Sequence, residues 1–321
     1  MNRREFVAAA AAAPFLLRSG STLAGIAAEV PIALVTADTE SHVAGVDLRT
    51  FEIVRRIETQ PGPRSIESVG GRIAVVAHTG SGAVTLIDGR TLKIRHVLRG
   101  FVQPRYTAAG LDGRHAFVSD SARGEVATVD LRLGRVVARV RVGGPARHIT
   151  ASPNGRTLWV SLGTKAQEIA VVDVSRPARP QFIRRFEPPF LAHDVGFVPS
   201  GRNAWVTSGD RGAIAIYTAG GNLIRRLSAD APPQHVTFLD GAAHVTSGDD
   251  GTLRVHSLRD ARILRETRIP VGSYNVQRAG GRVLTPSLDR GTLCVLDGRG
   301  VLQRRIQVAA SSHDACFVLR G

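Results

Sequence analysis

Short apolar runs recur along this chain with one cadence. Seven segments open alike: IALVTADTESHVAGVDL, IAVVAHTGSGAVTLIDG, HAFVSDSARGEVATVDL, TLWVSLGTKAQEIAVVDV, NAWVTSGDRGAIAIYTA, AAHVTSGDDGTLRVHSL and RVLTPSLDRGTLCVLDG. Each has an apolar run, a turn rich in Gly, Asp and Ser, and a second run, followed by another turn and a third run such as IVRRIE, VVARVRV or ILRETRI. Runs of this length, rich in Val, Ile and Thr and bounded by turn residues, predict strands. Asp47, Asp88, Asp130, Asp173 and Asp297 close the second run, where a carboxylate can accept the N–H groups of the hairpin turn. Anchoring on Val35, Val76, Val118, Val160, Val206, Val245 and Leu284 gives spacings of 41, 42, 42, 46, 39 and 39 residues. A fourth run precedes each unit but the first: SIESV, YTAAGL, HITAS, HDVGFV, HVTFL and YNVQRA, with HDACFVL left at the end of the chain.

A period near forty residues with four strand signals per unit predicts an all-β, seven-bladed β-propeller with four-stranded antiparallel blades. The first unit, from Ile32, lacks a preceding strand and the last strand lacks a following unit. The C-terminal strand is therefore expected to complete the first blade and close the ring. The stretches ITASPNGRTLWVS, GEVATVDLRLGRVVARVRVGGPARH and AWVTSG resemble the YVTN-type (YncE-like) repeats of bacterial seven-bladed propellers, from about Ile32 to the C-terminus. No Trp-Asp dipeptide is present, which sets the chain apart from a typical WD40 array. Propellers of the YVTN type include surface-layer proteins, nucleic-acid-binding periplasmic proteins, lactonases, and domains of nitrite and nitrous oxide reductases. The resemblance thus implies the fold and leaves function to the site.

The chain has 321 residues, and its first 28 do not follow the strand cadence. Arg3-Arg4-Glu5-Phe6, a mildly apolar run from Val7 to Leu17 and a small-residue end near Ala27 resemble a twin-arginine export signal. The expected division is a signal over 1–28 and the propeller over 29–321, working outside the cytoplasm in the periplasm, envelope or medium, as a monomer with no membrane span. Net charge is +15, of which residues 1–28 contribute +2, so the propeller keeps +13. This balance points to an anionic partner or to a solvated Arg-rich surface. Only three Tyr and two Trp are present, and no nucleic-acid-binding signature, which argues against nucleic acid. Cys294 and Cys316, the only cysteines, both lie in apolar strand runs and are expected to be unbonded.

Aligning the inner strands places Ser65, Tyr106, His148, His193, His235, Tyr274 and His313 at one level around the channel axis. Neutral imidazoles converging from His148, His193, His235 and His313 can bind Zn, Cu, Ni or Fe, with Tyr106 or Tyr274 as hydroxyl donor or further ligand. The same residues can equally form a polar lining without a metal. Asp194 and Asp314 each follow a ring histidine, as partners orienting imidazoles or as acceptors for loop N–H groups. Just before the ring come Arg64, Arg105 and Arg147 on consecutive blades, where the other four have Ala192, Gln234, Ser273 and Ser312. One side of the mouth is thus cationic and suited to a carboxylate, phosphate or sulfate. The chain has no phosphate-binding Gly loop, no Cys-pair metal spacing and no Gly-x-Ser-x-Gly elbow. The leading expectation is an exported propeller that binds an anionic small molecule, a polymer or a protein at this mouth. The alternatives are a metal-dependent oxidoreductase, lyase or lactonase using the histidines, and a structural envelope protein.

Overall fold

The computed structural model describes residues 29–229 and 231–321; the predicted export signal lies outside them. Twenty-eight strands run in chain order from β1 (Val30–Ala37) to β28 (Ala315–Arg320) and form seven antiparallel sheets of four. Six sheets are built from consecutive strands. The remaining one has the order β28, β1, then His42–Asp47 and Ile53–Glu58. The expected seven-bladed ring, closed by the C-terminal strand on the first blade, is what forms: Ile32 pairs with Val318 and Val35 with Ala315. Among the described residues no helix is long and apolar enough to cross a membrane.

The strands alternate as their sequences dictate. Within a blade the two middle strands are buried on both faces because each blade is packed between two others, so runs such as IAVVAH carry no polar alternation. The apolar clusters accordingly lie between blades. One joins Trp159 to Val195, Phe197 and Val206 of the next blade, and another joins Ala33, Val35 and Ala44 of the first blade to Leu284 and Val295 of the last. Cys294 and Cys316 are free and buried in such clusters, as small apolar residues. The five strand-closing aspartates do turn chemistry. Asp88 accepts the N–H groups of Arg90 and Thr91, and Asp297 those of Arg299 and Val301.

One contact recurs between neighbouring blades. A Ser or Thr near the end of the second strand accepts an N–H from the inner strand of its own blade and donates to a carbonyl on the inner strand of the next. Thr36 accepts from Asp314 N and donates to Arg64 O, Ser119 accepts from Tyr106 N and donates to Arg147 O, and Thr207 accepts from Asp194 N and donates to Gln234 O. In the second blade the position is Ala77, and Thr79 donates instead to Pro104 O. Thr246 likewise donates to Tyr274 O, whereas the equivalent Thr285 hydroxyl is buried without a partner, so the hydroxyls fix the heights of some inner strands, those carrying His148 and His235 among them.

Deleting Ser312–Gly321 would strip the inner strand from the first blade and expose the side chains that Cys316 and Val318 now cover. The loss in apolar burial alone is on the order of several kcal/mol, comparable to the whole stability of many domains. The truncated protein should be insoluble or lose its cooperative thermal transition by circular dichroism; an unchanged melt would refute the closure.

Candidate metal and anion site

The inner strands all begin at the same end of the channel, so the residue at each strand start faces the axis at one level. His148, His193 and His235, from three consecutive blades, each offer a ring nitrogen, and these atoms lie within 4.8 Å of one another. Two nitrogens on one tetrahedral ion at 2.0–2.1 Å stand about 3.4 Å apart, so small side-chain rotations close the set. His148 is buried, and neither of its ring nitrogens has a hydrogen-bond partner. Its ring centroid lies 4.5 Å from that of His193 and 4.7 Å from that of His235, with the Tyr106 ring 3.9 Å away on another side. A buried imidazole with both nitrogens unpaired is costly unless something binds it.

The other two imidazoles are oriented. His235 Nδ1 stands 3.3 Å from the Asp194 carboxylate, which also accepts Val236 N–H at 3.1 Å. Asp194 thus faces the imidazole and the first strand N–H of the next blade rather than the adjacent His193. His193 Nδ1 lies 3.3 Å from Thr164 O. Gly209, at φ 72°, faces it: a Cβ there would come within 2.6 Å of His193 Cβ, so glycine makes room for the ring. Burial, then the neighbouring imidazoles and Arg147, hold His148 well below the usual imidazole range. His193 is pushed down to about 3, chiefly by burial. Neutral imidazole is the form that ligates metals.

His313 and Asp314 stand apart from this set. His313 Nδ1 is 3.1 Å from both Arg64 O and Asn275 Nδ2, and it is not among the three converging donors. Asp314 accepts Ile66 N–H and Ala315 N–H, bridging the first blade to the second without touching an imidazole. Tyr274 donates its hydroxyl to Asp249, 2.9 Å distant, and its pKa is pushed up to about 12 by burial and that carboxylate.

The mouth above the histidines is a cavity of about 240 Å³ lined by Arg64, Arg147, Lys165, His193, Asp249 and Tyr274 among others. Arg64 and Arg147 line it, and Arg105 lies near enough to both to be repelled by them. Arg64 meets Asp38 at 3.3 Å, whereas Arg105 and Arg147 form no ion pair among the described residues. Desolvation, then repulsion from Arg147 and Arg64, lowers Arg105 to about 10. The Nε atoms of Arg64 and Arg147 are buried and unpartnered. Three guanidinium groups against the carboxylates of Asp38 and Asp249 leave a local excess of positive charge. Asp38, Lys165, Asp249 and Asn275 were not singled out in the sequence. The first three lie in the turns after the second strands, TADTES, GTKAQ and SGDDG, whose shared position at the mouth was the available signal.

Below the histidines lies a second cavity, of about 340 Å³, lined by Glu67, Thr107, Asp194, Asn275, Arg278 and Asp314 among others; Tyr106 and His235 line both. The imidazole layer thus plugs the channel between two chambers. Burial pushes Glu67 up to about 7 and Asp314 up to about 8.

No family model matches the chain, and no curated protein matches it. Solved structures do. A hydrazine synthase chain from Kuenenia stuttgartiensis is 15% identical, with 82% of this chain and 91% of that one covered at a TM-score of 0.70. A putative 6-phosphogluconolactonase from Bacteroides fragilis is 13% identical, covering 91% and 98% at 0.74. A functionally unknown protein from Desulfotomaculum acetoxidans is 11% identical, covering 90% and 99% at 0.78. At these identities the likeness is one of fold.

The two chamber carboxyls give a pH signature. Their folded pKa values lie above the ordinary carboxylate range, so the native state holds protons that the unfolded chain has released, and the stability these two groups contribute falls as pH rises from about 4 to about 8. The buried imidazoles act in the opposite direction below about pH 6.5, so the signature is a difference: urea midpoints of the wild type should fall across that window relative to those of Glu67→Gln/Asp314→Asn, which keeps the same histidines. A difference that stays constant with pH would show that these carboxyls do not titrate with raised pKa values.

Proposed function

We propose that this propeller binds an anionic small molecule at the arginine-lined mouth of its channel, above a three-histidine site for a divalent transition metal. The observation that carries the reading is His148, buried with both nitrogens unpaired between two further imidazoles. The donor set fits a metal: three imidazole nitrogens suit Zn, Cu, Ni or Fe, and Asp194 beside His235 is the kind of carboxylate partner that fixes a ligating imidazole. A metal held by three protein ligands keeps an open position and supplies Lewis-acid chemistry to whatever occupies it.

The chain's own residues do the remaining work. Arg64, Arg105 and Arg147 draw an anion into the mouth and hold it over the histidine layer, and the Tyr106 ring beneath Arg147 supports that layer. Lys165, from the same blade as Arg147, adds a fourth cation, partly offset by Asp210 at 3.5 Å. This reading joins the ligand-binding expectation to the metal-dependent one. A purely structural envelope protein requires neither the unpaired imidazole nor the clustered guanidinium groups. The Arg3-Arg4 segment supports, as a further part of the proposal, export through the twin-arginine route.

Metal-free protein titrated with zinc or copper(II) in a calorimeter should bind one equivalent. His148→Ala should weaken that binding by about a hundredfold or more, and Asp194→Asn by roughly tenfold, as losses of partners around bound metals commonly do. Inorganic phosphate should bind at the mouth, more weakly in Arg105→Ala and at raised salt. If the protein takes up no metal, the imidazoles are a polar lining; if phosphate binding also survives Arg105→Ala, the mouth is not the anion site.

Replacing Arg3-Arg4 by Lys-Lys should leave the protein in the cytoplasm of its native host, as judged by fractionation. Normal export of that variant would remove the twin-arginine assignment.

A further inference from the structure

The face opposite the arginine mouth carries a pattern that the channel site does not explain. Pairings locate it. In the fifth blade the inner strand ends at Phe197 against Ala204, Asn203 pairs with Thr218, and Tyr217 pairs with Leu223, so the outer strand starts on the face where the inner strand ends. The fourth and sixth blades repeat this arrangement. Their outer strands, Gln181–Phe186, Leu223–Ser228 and Ile263–Arg268, read QFIRRF, LIRRLS and ILRETR.

Each outer strand is bulged one step after its start. Val172 pairs with Phe182 and Val171 with Arg184, leaving Ile183 unpaired; Ile224 and Leu264 are left unpaired in the same way. A strand without a bulge would send adjacent side chains to opposite sides, and the bulge breaks that alternation. Both members of each apolar pair are consequently exposed: Phe182 and Ile183 by 42% and 49%, Leu223 and Ile224 by 50% each, Ile263 and Leu264 by 44% and 61%. Arginine follows each pair. Arg184 donates to Gly220 O and Arg225 donates to Asp260 O, so each guanidinium is held over the outer turn of the next blade. The nearby acids are already engaged, Glu266 by Arg254 at 2.9 Å and Asp260 by Arg262 at 2.7 Å.

Charge is concentrated on the same elements. The seven outer strands hold fifteen Lys and Arg against two Glu, a net +13, which equals the whole net charge of residues 29–321. The rest of the propeller is neutral on balance.

We propose that blades four to six form a docking surface for an anionic lipid bilayer, with the apolar pairs entering the acyl boundary and the arginines meeting headgroup phosphates. A protein partner would call for one contiguous apolar patch, whereas these pairs are separate, each with its own arginine. A nucleic acid would call for several exposed aromatics to stack on, whereas five of the six apolar side chains here are aliphatic, Phe182 being the exception, and both tryptophans are buried. Docked this way, the propeller turns its arginine mouth away from the membrane.

The test is sedimentation of the full-length protein with vesicles of phosphatidylglycerol and phosphatidylcholine, compared with phosphatidylcholine alone. Binding should require the anionic lipid and weaken as salt rises. Ile183→Ser/Ile224→Ser/Leu264→Ser should lower the partition coefficient by about a thousandfold, since burying each of the three side chains is worth roughly tenfold. Residues 1–28 are the same in both proteins, so their share of any binding cancels. Val102→Ser/Val271→Ser, on the mouth face, should leave binding unchanged. The three bulge residues are unpaired and exposed, and an unaltered melt will show that the triple variant is folded. Equal binding by the triple variant, equal binding to phosphatidylcholine alone, or no binding at low salt would each overturn the proposal.

Discussion

Everything at the channel axis depends on a hydroxyl. A Ser or Thr on the second strand takes an N–H from its own inner strand and gives its proton to a carbonyl of the next blade. The inner strands are the ones whose pairing runs out first, being as short as Val195–Phe197 and Gln277–Ala279. Without this bridge their starting residues would hang from one flank of the sheet. With it, the strand starts at His148 and His235 are held at heights set by two blades, which is the precision a site assembled from several strands requires.

The histidine layer gains its chemistry from that positioning and from its surroundings. Below it the chamber is acidic by residue type, yet two of its carboxyls are pushed towards their neutral forms by burial. Above it the mouth is cationic, and burial, then repulsion from Arg147 and Arg64, lowers Arg105. The field therefore points one way along the channel. A negatively charged molecule is favoured at the upper end, close to the one imidazole with nothing to bind, and repulsion among the arginines is relieved when it arrives.

The fold was legible in the sequence because a propeller is a repeat, and seven imperfect copies average out local ambiguity. The missing strand before Ile32 and the surplus strand after Ala310 located the closure directly. The ring positions were legible for the same reason, and His148, His193 and His235 do converge. What the repeat could not give was the depth at which each side chain ends. His313 holds the same register as the other three, but Asn275 and the Arg64 carbonyl capture it, and both belong to other blades. Asp194 and His235 lie forty-one positions apart, and only the closed ring shows that the carboxylate serves the next blade's imidazole. The hydroxyl bridges had a signal, the Val-Thr or Val-Ser pair ending most second strands. The outer bulges had none, because a two-residue apolar pair at a strand start reads the same whether it is buried or exposed.

The joining of β28 to β1 also orders events in time. Thr36 and Asp314, bonded across that seam, are 278 residues apart in the chain, whereas other blades are built from strands that follow one another directly. Local hairpins form in microseconds, and contacts this distant wait for the loop between them to become compact. Six blades can therefore mature while the first remains three-stranded, with Leu34 and its neighbours uncovered along one side. The seam that makes the finished ring continuous is thus the last part of it to acquire protection, and the interval before closure is when the molecule is most exposed to proteases and to its own copies.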